Sequence, residues 1–294
     1  MTRRPWVSPA IALGFVGLAI ADLAWYLTNQ PLPSDGSIAD LVDYVFQILP
    51  AMVAILLPAI LLTRHPDAAR RAPVLLFGTI LFASVQGLII LNGELQEFFA
   101  SVSPPSAELP FLIPAATVFN VLVSLTTAFG VAYIAVGLSQ VRRHEDRGAT
   151  LTVAFVPAVA MLATMVGVIS VGQIDFGDTP MSPTLAIYLG VSVVLGVIRI
   201  SAWTYLAAVA TRGWLADEQP ASGWGLGIVA AGLVIAALAL VNLGGVIPLT
   251  DETANSLYGI AIVLAYGFGH LALFAALAVG LPALDGEIDG ESDR

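Results

Sequence analysis

The sequence predicts an all-α protein, a polytopic transmembrane helix bundle of eight spans, on three observations. Only 11% of the 294 residues are charged, where a soluble domain carries about a quarter. Apolar runs recur at the length of roughly 20 residues that a helix needs to cross the hydrocarbon core. The connections between them alternate in charge: ten of the eleven basic residues fall on one side of the zigzag, and the loops of the other side carry only acids.

The runs cover 6–28, 41–63, 73–93, 109–138, 151–173, 184–210, 224–247 and 257–283. The first follows Arg3 and Arg4 and ends among Trp25 and Tyr26. Its Ala19-Ile20-Ala21 has the form of a signal cleavage site, but Leu23 to Leu27 prolongs the apolar run with interfacial aromatics, so an uncleaved span is expected. In the second, Pro50 and Pro58 each free a carbonyl and bend the helix. It leads to Arg64, Arg70 and Arg71, which open the third.

Residues 94–108, with Glu94, Glu97, Glu108, Phe98, Phe99, Pro104 and Pro105, read as the longest external loop. The fourth run ends at Arg142, Arg143 and Arg147, and the fifth leads to Asp175 and Asp178. The sixth ends at Arg212, the seventh leads to Asp251 and Glu252, and the eighth to the tail 284–294. That tail holds five acids and two glycines, a composition of disorder.

Loops rich in Arg or Lys stay in the cytosol. An even number of crossings then puts both termini inside, in the cytoplasmic membrane, with a membrane domain over 1–283 and an acidic cytosolic tail. The net charge of -10, with Arg as the sole basic residue type besides His, matches the composition of salt-adapted, archaeal-like proteins. High salt screens surface charge within a few Å.

A shift of 148 positions lays Pro9-Ala10-Ile11-Ala12-Leu13 over Pro157-Ala158-Val159-Ala160-Met161, and Thr63-Arg64 over Thr211-Arg212. Nearby offsets lay Leu91-Asn92-Gly93 over Leu243-Gly244-Gly245, and Phe129-Gly130 over Phe268-Gly269. The expected organisation is two parallel four-helix halves, 1–140 and 150–283, related by an axis along the membrane normal.

The absence of Lys and Cys removes whole chemistries. Schiff bases and the GxxxxGK[ST] phosphate loop need Lys. Thiol catalysis, disulfides and thiolate-held clusters need Cys. With His65 and His144 in Arg-rich loops, a single membrane His cannot form a bis-His haem or an all-His metal site. No HExxH or GxSxG occurs, so no enzyme class, metal or cofactor is indicated, and the short basic loops give no nucleic-acid surface.

The eleventh basic residue, Arg199, lies inside the sixth run. Fifteen positions past Thr184 put it about 22 Å below the outer boundary, where a charge costs at least about 2.5 kcal/mol. A guanidinium offers a planar fork of donors to carboxylate or phosphate. His270 lies about 20 Å down the eighth run, and an imidazole exchanges protons, so the pair could couple proton uptake to anion binding. Asp22 and Gln47 share one depth in the outer half, and Gln86 adds an amide there.

The leading expectation is a transporter or channel for a small anionic or polar solute, with Arg199 and His270 as midplane ligands and Asp22, Gln47 and Gln86 lining access. The alternative is a non-catalytic membrane anchor, or a quinone-contacting subunit, whose Arg199 and His270 hold a head group or a partner helix. The partners implied are the lipid bilayer, a small solute and, in the alternative, a membrane or cytosolic subunit.

Overall fold

A computed structural model describes residues 7–29, 38–66, 68–102, 112–141, 183–216, 221–243 and 252–279, with parts of 159–171. The described residues are helical, joined by short turns, with no strand among them. We number the helices α1 (Val7–Asn29), α2 (Ile38–Arg64), α3 (Ala68–Arg71), α4 (Pro73–Val102), α5 (Leu112–Val141), α6 (Pro183–Leu215), α7 (Ala221–Leu243) and α8 (Glu252–Val279). Positions 159–160, 162–165, 167–168 and 171, within the fifth apolar run, are also helical.

Five helical stretches are long and apolar enough to cross a membrane: Ser8–Thr28, Val118–Val141, Ala186–Leu215, Ala221–Val241 and Leu257–Val279. Shorter apolar stretches, Ile48–Arg64 and Pro73–Gln86, lie in α2 and α4. Pro50 and Pro58 sit inside α2, as read from the sequence. The tail 284–294 lies outside the described residues.

The stretch expected as an external loop from Glu94 onward is a correction. Helix α4 runs on to Val102. Leu95, Gln96, Glu97 and Ala100 are strong helix formers, and the helix stops just before Pro104-Pro105, which disfavours helical backbone in the residue ahead of it. Residues 94–102 of the loop expected at 94–108 are therefore helical, and 103–108 lie outside the described residues.

The helices close into a ring. Helix α2 packs on α4, α4 on α5, α5 on α6, α6 on α7, α7 on α8, and α8 returns to α2. Outside the ring, α1 lies on α2, tied by Ser8 Oγ donating to the Pro66 carbonyl at 3.1 Å and by an edge-to-face contact of Tyr26 with Tyr44. The partly described segment lies against α6, where a Cβ on Gly167 would come within 2.9 Å of Val193.

Close backbone approach sets the tightest seams. A Cβ on Gly78 of α4 would stand 2.6 Å from the Ile134 backbone nitrogen, and one on Gly130 of α5 would stand 2.9 Å from Phe82 Cα. Only glycine admits this spacing, which is how small residues bring helices together where lipid supplies no hydrophobic drive. Between α7 and α8, Tyr258 Oη donates to the Leu240 carbonyl, one of the last four carbonyls of α7 that lack a partner in their own helix.

Candidate functional site: a polar layer above an aromatic partition

In a six-membered ring, alternate members meet at the centre, and here α4, α6 and α8 do so through rings. Phe82 stacks on His270 at 5.6 Å between centroids, with planes 17° apart. Trp203 meets His270 edge-on at 5.8 Å and Phe82 at 6.1 Å. Tyr266 lies 4.4 Å from His270. Phe82, Trp203 and His270 are each at most 3% exposed. Together they pack as one aromatic layer at the centre of the ring.

Helical spacing builds a second layer on this partition. Arg199 precedes Trp203 by four residues, and Tyr266 precedes His270 by four; side chains four apart share one face. Gln86 follows Phe82 by four on α4, which runs the opposite way, so it rises toward the same end. Arg199, Tyr266 and Gln86 thus occupy one level, one turn nearer the acidic-loop side than the rings. All three are partly buried, and Tyr266 lies within electrostatic reach of the Arg199 guanidinium.

Arg199 Nε is buried without a hydrogen-bond partner. A buried donor left unmet costs about 1–3 kcal/mol, and more for a charged group. His270 differs: its Nδ1–H donates to the Tyr266 carbonyl at 2.8 Å, an intrahelical bond that fixes the ring between Phe82 and Trp203. His270 therefore lies in the ring layer, and Arg199 stands one turn nearer the acidic-loop side at the level of Tyr266.

The other expected residues separate from this centre. Asp22 lies four residues from Tyr26 in α1, and Gln47 three from Tyr44 in α2. Because Tyr26 and Tyr44 touch, the two helices are in register there, and positions 22 and 47 lie at one level along α1 and α2. Asp22 belongs to α1, which packs on α2 outside the ring. Gln86 alone of the three access residues shares the level of Arg199.

A further polar contact links α5 and α6 toward the same end. Asn120 Nδ2 donates to Ser192 Oγ at 3.3 Å, and Ser124 Oγ donates to Asn120 Oδ1 at 3.2 Å. Ser192 lies two turns from Arg199 on the same face of α6, with Leu195 and Gly196 between them. Sequence reasoning missed Trp203, Phe82 and Tyr266. The Arg199/Trp203 and Tyr266/His270 spacings were visible signals for two of them, whereas Phe82 joins only through tertiary packing.

Among the described residues, no group of three His, Cys, Asp or Glu could hold a metal ion. No protein-family model matches the chain, and neither a curated protein nor a solved structure is similar to it.

Proposed function

We propose that the protein is a transporter or channel for a small anionic or polar solute, that it spans the cytoplasmic membrane eight times with both termini cytosolic, and that Arg199 is its solute ligand. The observation that carries the reading is the buried Arg199 Nε without a partner. A structural arginine would be expected to turn its donors to a carboxylate or a freed carbonyl; an anion ligand keeps them available until solute arrives. Tyr266 and Gln86, at the same level, complete a set of neutral hydrogen-bonding groups around the cation.

The order of the helices is the one that two parallel four-helix halves would give, and this supports the reading. Around the ring, α2, α4 and α5 are followed by α6, α7 and α8, while α1 lies on α2 and Gly167 of the partly described segment lies against Val193 of α6. Gly130 seats against Phe82 of α4. Its sequence match, Gly269, seats against α7, where a Cβ would come within 2.6 Å of Val234. Transporters built from such halves bind substrate near the midplane between them. Arg199 and His270 have Ala51 and Val131 at the matched positions, so the guanidinium and the imidazole have no counterpart in the first half.

Reconstituted protein tests this directly. Proteoliposomes loaded with a panel of small anions, such as chloride, phosphate and short carboxylates, are expected to show a flux that Arg199→Gln abolishes while the variant keeps its helix content and elution volume. Unchanged flux in that variant removes Arg199 as ligand; the absence of any flux from wild type across the panel removes the transport reading itself.

A further inference from the structure

Arg199 is the one basic residue inside an apolar run of this chain. The other ten lie in the loops, at helix ends or at the termini, and the nearest along the chain, Arg212, stands thirteen residues on, about 20 Å along the same helix. The groups that share the level of Arg199, the Tyr266 hydroxyl and the Gln86 amide, are neutral. So is the next polar cluster outward, Asn120, Ser124 and Ser192. His270 adds no second charge at this level. It lies a turn away in the aromatic layer, 2% exposed among Phe82, Trp203 and Tyr266, with its Nδ1–H given to the Tyr266 carbonyl.

The interior of a helix bundle in lipid holds no mobile counter-ions, so a charge there is met by a fixed one or left unmet. A singly charged anion on the guanidinium cancels its charge. The neutral hydroxyl and amide add hydrogen bonds without changing the sum. A doubly charged anion of the same shape leaves one negative charge uncompensated in the middle of the bundle. Its approach is opposed as well: the connections of the acidic side contain no basic residue, so the potential at that entrance is negative and acts twice on a dianion.

We propose that the solute held by Arg199 carries one negative charge, as a monocarboxylate, a sulfonate or a halide does, and that dianions are refused. This rests on the assignment of Arg199 as the solute ligand and narrows it. Charge is selected by the number of cations at one level of the bundle, and that number is one because position 86 of α4, at the level of the guanidinium, holds a neutral amide. Gln86 is therefore a specificity-determining residue.

The test is equilibrium binding of radiolabelled anions to the full chain in maltoside micelles at a pH of about 8, where an ordinary imidazole, with a pKa of about 6.5, is neutral. The probes are pairs of matched shape, methanesulfonate against sulfate and propionate against malonate, in which a methyl group stands where the dianion has its second charge. Wild type is expected to bind the monoanion of a pair at least about a hundredfold more tightly, the scale set by an uncompensated buried charge, and Arg199→Gln to lose that binding. Gln86→Arg supplies a second permanent cation and should bring sulfate to within about tenfold of methanesulfonate. Dianions bound by wild type as tightly as their matched monoanions, and lost in Arg199→Gln, overturn the charge rule while Arg199 stays the ligand. A folded Gln86→Arg protein that keeps the wild-type preference overturns it too. Binding of no anion from either pair removes Arg199 as ligand and the charge rule with it.

Discussion

Replacing Arg199 with methionine should stabilise the fold while stopping solute movement. Methionine keeps the length and apolar stem of arginine but removes the charge and every donor. The Arg199 Nε is buried and unmet, and such a group costs about 1–3 kcal/mol in the native state. In the denatured state in detergent, the flexible side chain reaches water and recovers that cost. Arg199→Met is therefore expected to gain about 1–3 kcal/mol. At a scale of about 2 °C per kcal/mol for a chain of this size, the melting temperature rises by about 2–6 °C. Thermal unfolding followed by near-ultraviolet circular dichroism, with and without solute anion, reads this directly. A fall of similar size would mean that the guanidinium is tied to a partner, since breaking a buried pair costs about 3–5 kcal/mol, and would refute the ligand assignment.

Trp203→Ala empties the centre of the partition, where the indole contacts both Phe82 and His270. Large-to-small changes of this kind cost about 3–5 kcal/mol, to be read as a lower melting temperature; a loss below 1 kcal/mol would show that the rings do not form a packed layer. Gly130→Ala places a methyl group 2.9 Å from Phe82 Cα and should cost about 1–3 kcal/mol through overpacking. Gly14→Ala, on α1 where a Cβ meets nothing within 4 Å, should change stability by less than about 0.5 kcal/mol. Equal melting of these two variants would refute the close α4–α5 seam.

Much of the helical framework was legible in the sequence. The apolar runs beginning at 6, 73 and 184 start within one residue of α1, α4 and α6, because the drive to enter lipid is summed locally along the chain. The end of α4 was less legible. Glu94 and Glu97 read as loop because of their charge, but a helix can continue past the hydrocarbon boundary wherever helix formers persist. The place of Arg199 in the middle of a long apolar helix was also readable, since α6 runs from Pro183 to Leu215.

What the sequence determined alone is therefore the set of apolar helices, the side of the zigzag to which the basic residues belong, and the presence of one costly cation far from either end. Only the tertiary structure decided that α4, α6 and α8 meet at a common centre, that Tyr266 and Gln86 share the level of Arg199, and that Asp22 stands apart on α1, outside the ring. The physical reason is that helices in lipid are apolar on almost every face, so no hydrophobic periodicity marks the side that turns inward. Neighbours are chosen by shape, by glycines that admit a backbone and rings that fill a gap, and shape exists only once the helices are side by side.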